Sequence, residues 1–231
     1  IGTYAFYNCP NLTNITLGKN VEFVGSYAFA NNLKLKTVNL NSQQEIVFQD
    51  NIFTKDELLE TVVFPDKIKN IPAYMFANCN SLVNLSLPNG ITNIERYAFS
   101  GCQKLKTINI PSELNSIQYG AFFSCSSLKD VDCSSALKLE TLDNSVFSSC
   151  KSLETIDFPV SLKTIGHSCF SGCNSLKTVN VYSSQLNSIG QACFKDCSSL
   201  NNINFLNTKL TTIPTECFSN CSSLTETILP K

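Results

Sequence analysis

The sequence predicts a β-rich solenoid, a chain wound into short coils that stack along one axis around a continuous apolar interior. Three observations predict it. A Phe recurs at positions 6, 29, 53, 76, 99, 122, 147, 170, 194 and 218, in steps of 23 to 25 residues. Fixed neighbours accompany each Phe. Hydrophobic residues make up 43% of the chain, enough to line such an interior, whereas one period alone cannot bury its own apolar face.

The elements of a period follow in order from the Phe. Three residues after it comes Cys in eight of the ten periods, with Asn32 and Asp56 in the other two. Six residues after it comes Leu without exception, from Leu12 to Leu224. Nine after comes Ile, Val or Leu everywhere but Thr227. Eleven after comes another apolar residue, often followed by Pro, as in Leu87-Pro88, Ile110-Pro111 and Phe158-Pro159. The resulting L-x-x-I-x-L alternates in its last part, which is the period of a strand with one buried face. Five residues before the Phe stands an aliphatic residue such as Ile94, Ile117 or Ile165. The stretch Ala98-Phe99-Ser100-Gly101-Cys102 and its equivalents read as a short helical or 3₁₀ turn on the opposite wall.

A period of this length built on L-x-x-I-x-L is the signature of leucine-rich repeats. The predicted fold is therefore a leucine-rich-repeat solenoid, a horseshoe or right-handed superhelix. It takes residues 1–231 as one domain of about ten 23–25-residue repeats. One parallel sheet lines the concave face, and short helical turns or short strands form the convex side. At a strand spacing of ~4.8 Å, ten coils span roughly 45 Å. The unit I-G-x-x-x-F-x-x-C-x-S-L-x-x-I-x-L-P, clear in Ile94–Pro111 and Ile165–Val181, resembles the BspA-like subclass of leucine-rich repeats along the whole chain. The resemblance implies a cell-surface or extracellular protein that adheres to host, matrix or neighbouring-cell proteins. The sequence departs furthest from the pattern in the third repeat, where Gln43–Asp50 is polar and Phe48 replaces the usual Ile.

Charge narrows the partners. Lys plus Arg number 17 against 18 Asp plus Glu, so the basic surplus that a nucleic-acid partner requires is missing. No apolar run approaches the ~20 residues that span a bilayer, and membrane insertion by this chain is not expected. Ile1 falls within a period, and the first residues show neither an initiating Met nor a signal-peptide pattern. The chain reads as a piece of a longer protein.

Twelve Cys raise the question of disulfides. Eight of them hold one position of a stacked repeat, so neighbouring side chains point the same way and their Cβ atoms lie too far apart to bridge without distortion. The register predicts a ladder of buried free thiols acting as small hydrophobes. Cys169, Cys193 and Cys217, just before their Phe, and Cys133, in a strand, take further core positions. A zinc site needs four convergent ligands, which C-F-x-x-C with a single His in the chain, His167, does not supply. No metal and no cofactor is expected.

The outward positions of each strand lie two and four residues after the repeat Leu, and they are mostly Asn, Thr, Ser and Asp. In the middle of the face stand Thr107, Asn109, Asp130, Asp132, Thr155, Asp157, Thr178 and Asn180, the candidate protein-binding residues. Lys36, Lys106, Lys129 and Lys177 flank them. Tyr4, Tyr27, Tyr74 and Tyr97, each two before its Phe, read as packing over the turn. No nucleophile–base set and no Gly-rich phosphate loop appear, so the chain reads as a non-enzymatic recognition module. An intracellular scaffold, which reduced thiols would suit, and a spacer in a surface stalk are the alternatives.

Overall fold

The computed structural model describes residues 1–42 and 44–229. Two ladders of parallel strands run along it. The first is made by the L-x-x-I-x-L segments: Asn14–Thr16, Thr37–Asn39, Thr61–Val63, Asn84–Leu85, Thr107–Ile108, Asp130–Asp132, Thr155–Asp157, Thr178–Asn180, Asn202–Asn204 and Glu226–Ile228. The second is made by the residues before each Phe: Phe23–Val24, Val47–Phe48, Asn70–Ile71, Asn93–Ile94, Ser116–Ile117, Thr141–Leu142, Thr164–Ile165 and Ser188–Ile189. Every pairing is between equivalent strands of adjacent coils, so the register is set by the repeat itself.

The expected helical turn at A-F-x-x-C does not form; no helix occurs among the described residues. Its hydrogen bonds explain why. Tyr97, Phe99 and Gly101 donate their N–H groups to the carbonyls of Tyr119, Ala121 and Phe123 in the next coil. The intervening Ala98, Ser100 and Cys102 donate three residues back, to Glu95, Tyr97 and Phe99. A helix needs consecutive local bonds, and here every second N–H leaves the coil. The geometry requires a left-handed residue at each side of the Phe. All positive-φ residues lie two before or two after a repeat Phe, as Tyr97 (φ 55°) and Gly101 (φ 73°) do. Asn, Asp, Ser or Gly fills the later position in every repeat except at Lys55, and Asn, Asp and Gly are the residues that tolerate it best.

The second ladder is interrupted by proline. After six of the eight short strands the next residue donates back one coil, as Glu95 N–H does to the Ile71 carbonyl (3.0 Å) and Gln118 N–H to that of Ile94 (2.9 Å). Positions 72 and 214 hold Pro, which has no N–H to give. The ladder breaks between Val47–Phe48 and Asn70–Ile71, and Ser188–Ile189 is its last strand among the described residues. The polar third repeat nevertheless keeps its register, with Phe23 opposite Val47 and Val24 opposite Phe48. Gln43, where that departure begins, lies outside the described residues.

Between the ladders the buried side chains form one contiguous core. The ten repeat Phe rings make a continuous stack, with centroids 5.3–5.6 Å apart and planes within 15° of parallel. Such pairs add about 0.5–1.5 kcal/mol each beyond the area they bury. The I-G element has a steric reason at Gly166 and Gly190. A Cβ there would lie 2.5 Å from the Asn144 nitrogen or 2.4 Å from the His167 nitrogen of the preceding coil. The tyrosines stack in two separate pairs, Tyr4 on Tyr27 and Tyr74 on Tyr97, each with centroids 5.0 Å apart, and Asn51 stands between them in the row.

All twelve cysteines are free thiols, and all but Cys9 are buried. From Cys79 to Cys221, seven thiols of the Phe+3 row each donate to the carbonyl of the repeat Phe one coil back, at 3.1–3.2 Å. Burial pushes the Cys102 and Cys169 thiols up to about 12 and the other buried ones upward as well. A thiol held protonated in a core does not react. Native protein is therefore expected to show one rapidly labelled thiol, Cys9, with a thiol-specific reagent, and all twelve only in denaturant. Several rapidly labelled thiols in the native state would contradict the ladder.

Candidate protein-binding face

The first ladder turns Val131, Ile156 and Val179 into the core and their neighbours outward, because side chains alternate along a strand. Thr107, Asp130, Thr155 and Thr178 thereby fall in one cross-strand row. Asp132, Asp157 and Asn180 fall in the next row. Seven of the eight residues singled out from the sequence are thus brought together on four adjacent strands. Asn109 is outward as well, but its amide is a clamp. Its Oδ1 accepts the Leu87 N–H (2.7 Å) and its Nδ2 donates to the Leu87 carbonyl (2.9 Å). The clamp takes the place of main-chain pairing there, and Asn109 lies just past the end of its strand.

The carboxylates differ in their partners. Asp157 Oδ1 accepts from the Asn180 amide (2.6 Å) and from the Tyr182 hydroxyl (3.4 Å). Asp132 Oδ1 accepts the Ser134 N–H (2.8 Å). Asp130 has no side-chain partner among the described residues. Asp132 and Asp157 face each other directly across the strands, an arrangement that costs stability when both are charged. The lysine flank is not uniform. Glu154 stands in the same row and pairs with Lys177 at 2.9 Å, which lowers the Glu154 carboxyl below its usual range, Lys129 adding a smaller pull. Both side chains of that pair are exposed, so it contributes little to stability.

Elsewhere the face satisfies itself. Thr107 Oγ1 donates to Asn84 Oδ1 (2.9 Å), and the Thr37 hydroxyl likewise donates to Asn14. No group of three or more His, Cys, Asp or Glu that could hold a metal occurs among the described residues. What the arrangement offers chemically is a flat, rigid sheet of hydrogen-bonding groups with negative charge at its middle. Tyr182, exposed at the end of the strand Thr178–Asn180, belongs to this face and was missed. The only signal for it was an aromatic residue just past the strand's last apolar position.

Parallel strands, a 23–25-residue coil and the L-x-x-I-x-L ladder define a leucine-rich-repeat solenoid. The chain belongs to the BspA type leucine rich repeat family, which it matches in six copies over residues 1–71, 46–151 and 136–231. Solved structures agree on the fold. The leucine rich repeat protein of T. pallidum is 22% identical, with a TM-score of 0.58 over 82% of this chain and 78% of that one. A leucine rich cell surface protein from Faecalibacterium prausnitzii A2-165 is 20% identical, with a TM-score of 0.50 over 100% of this chain and 82% of that one. No curated protein matches the sequence.

Proposed function

We propose that the chain is a non-catalytic recognition module of a cell surface that docks a protein on the first strand ladder, at Thr107, Asp130, Asp132, Thr155, Asp157, Thr178 and Asn180. The observation that carries this reading is the placement of Asp132 opposite Asp157, beside Asp130, with no cation among the described residues paired to any of the three. A partner that brings Lys or Arg against these carboxylates relieves their mutual repulsion and gains charge-assisted hydrogen bonds. Rigid strands present the groups without an ordering cost. An open sheet offers area without enclosure, which suits a protein better than a small molecule. Family membership and the cell-surface protein of the same fold support the address. Buried, protonated thiols fit it too, because they resist oxidation outside the cell.

Surface plasmon resonance against purified extracellular-matrix proteins tests the proposal. For a matrix protein that binds, Asp130→Asn/Asp132→Asn/Asp157→Asn should weaken the affinity by more than about fivefold, roughly 1 kcal/mol, without lowering the melting midpoint. The association rate of the unaltered chain should fall with added salt. Binding that survives the triple change but disappears in Tyr74→Ala/Tyr97→Ala would move the docking surface to the turn wall. Failure of every matrix protein to bind would remove the adhesive reading.

A further inference from the structure

The first strand ladder is interrupted twice, between Thr61–Val63 and Asn84–Leu85 and between Thr178–Asn180 and Asn202–Asn204, and the second of these seams opens a cleft. In each case the strands are equivalent ones of adjacent coils, yet no ladder pairing joins them. The cleft, of about 250 Å³, is lined by Thr178, Asn180, Tyr182, Asn202, Asn204 and Asn207 over Val179 and Val181. At several other places on the ladders outward side chains of adjacent coils bond one another, as Asn93 Nδ2 does to Asn70 Oδ1 (2.8 Å) and Thr107 to Asn84 (2.9 Å). At the second seam they do not. The side chains of Thr178, Asn202 and Asn207 have no hydrogen-bond partner among the described residues. Asn204 uses only its Oδ1, accepting the Leu206 N–H (2.8 Å). Tyr182, 57% exposed, leans on Asp157 through its hydroxyl (3.4 Å), and Asn180 holds the same carboxylate oxygen at 2.6 Å.

We propose that this cleft binds a neutral carbohydrate, one pyranose unit at a time. Each amide offers a donor and an acceptor side by side, and so does each pair of vicinal hydroxyls on a sugar ring. The Tyr182 ring supplies an apolar platform with a polar tip for the C–H face of that ring. The other ligand classes fit less well. No Lys or Arg lines the cleft, so an anion would meet no countercharge, and Asp157 beside it would repel it. An apolar molecule would bury the free amides without partners and forfeit their hydrogen bonds to water. A polyhydroxylated neutral ligand satisfies the amides and covers the ring together. The cleft adjoins the protein-docking face but does not depend on Asp130 or Asp132.

Saturation-transfer NMR on the whole chain tests this, with galactose, glucose, mannose, N-acetylglucosamine and lactose as probes at about 10 mM, above the low-millimolar (~1 mM) dissociation constant that ordinary ligand efficiency gives a single sugar ring. Transfer to at least one sugar is expected. Tyr182→Ala and Asn202→Ala/Asn207→Ala should each weaken it at least tenfold, and Tyr182→Phe, which keeps the platform, should retain it. Asp130→Asn/Asp132→Asn should leave it unchanged, so the sugar site and the protein site fail or stand separately. All these side chains are exposed, and no variant is expected to lower the melting midpoint. No transfer to any of the five sugars, or transfer that persists in both alanine variants, would overturn the proposal.

Discussion

Phe122→Ala is expected to destabilise the chain by about 3–5 kcal/mol, the usual range for removing a buried ring and leaving a cavity. Phe122 is fully buried and stacks on Phe99 and Phe147, each at 5.3 Å. Loss of the ring therefore breaks the stack in the middle and takes two ring pairs with it. Phe123 is the control. It is the next residue, of the same type, but its side chain is exposed, and Phe123→Ala should cost less than ~1 kcal/mol. Urea unfolding followed by far-ultraviolet circular dichroism measures both. Because each coil contacts only its neighbours, a central break can also split the transition in two. Equal losses at Phe122 and Phe123 would mean that the aromatic stack does not hold the coils together.

The register of the first ladder was legible because the spacing of Phe, Leu and Cys left one way to stack equivalent positions, whereas the aliphatic residue five before the Phe is not read in sequence as a second parallel ladder. What single positions do inside that frame was harder to read. The A-F-x-x-C stretch reads in sequence as a short helical or 3₁₀ turn. The competing fact is that half of its N–H groups go to the next coil, and a one-dimensional pattern does not display a bond between coils. A trace of it was present. Asn8, Asn31, Asn78, Gly101, Gly172 and Asn220 all stand two after the Phe, and such residues mark a left-handed backbone. Pro72 and Pro214 could also have been read, since each replaces the residue that donates back one coil.

At the candidate face the limits are different in kind. Periodicity placed Asp130, Asp132 and Asp157 correctly on one side of the sheet, since alternation needs only the strand's phase. It could not show that Asn109 is consumed by Leu87, because the choice between main-chain pairing and a side-chain clamp is made by geometry at that coil. Nor could it show the seam beside Asn180, where the repeat continues in sequence while the pairing stops. Repeat proteins hide their irregularities in this way. The pattern reports what the coils share, and binding sites form where one coil differs.

The largest pH effect is expected at Asp56. It takes the Cys position of its repeat and is fully buried. Its Oδ1 accepts the Asn32 N–H at 2.6 Å, while its Oδ2 has no partner. Burial pushes its carboxyl up from 3.8 to about 9, against a smaller opposing pull from the Asn32 hydrogen bond. The Cys79 thiol lies close enough that the Asp56 charge raises it further. The folded chain thus holds a proton that the unfolded chain releases near pH 4. Below that pH the contribution of Asp56 is intact, and stability is lost as pH rises toward 9, by up to ~1.4 kcal/mol per pH unit. Asn32, one coil earlier, shows the remedy. Its Oδ1 accepts the Cys9 N–H (2.7 Å) and its Nδ2 donates to the Phe6 carbonyl (3.1 Å), so an amide satisfies this position without a proton from solvent. Asp56→Asn is therefore expected to stabilise the chain by a few kcal/mol at pH 8 and to change it little at pH 4. Urea midpoints of both proteins across that range measure the difference, which cancels the other titrating groups. A gain that is the same at pH 4 and pH 8, or a loss at pH 8, would show that Asp56 does not carry a buried proton.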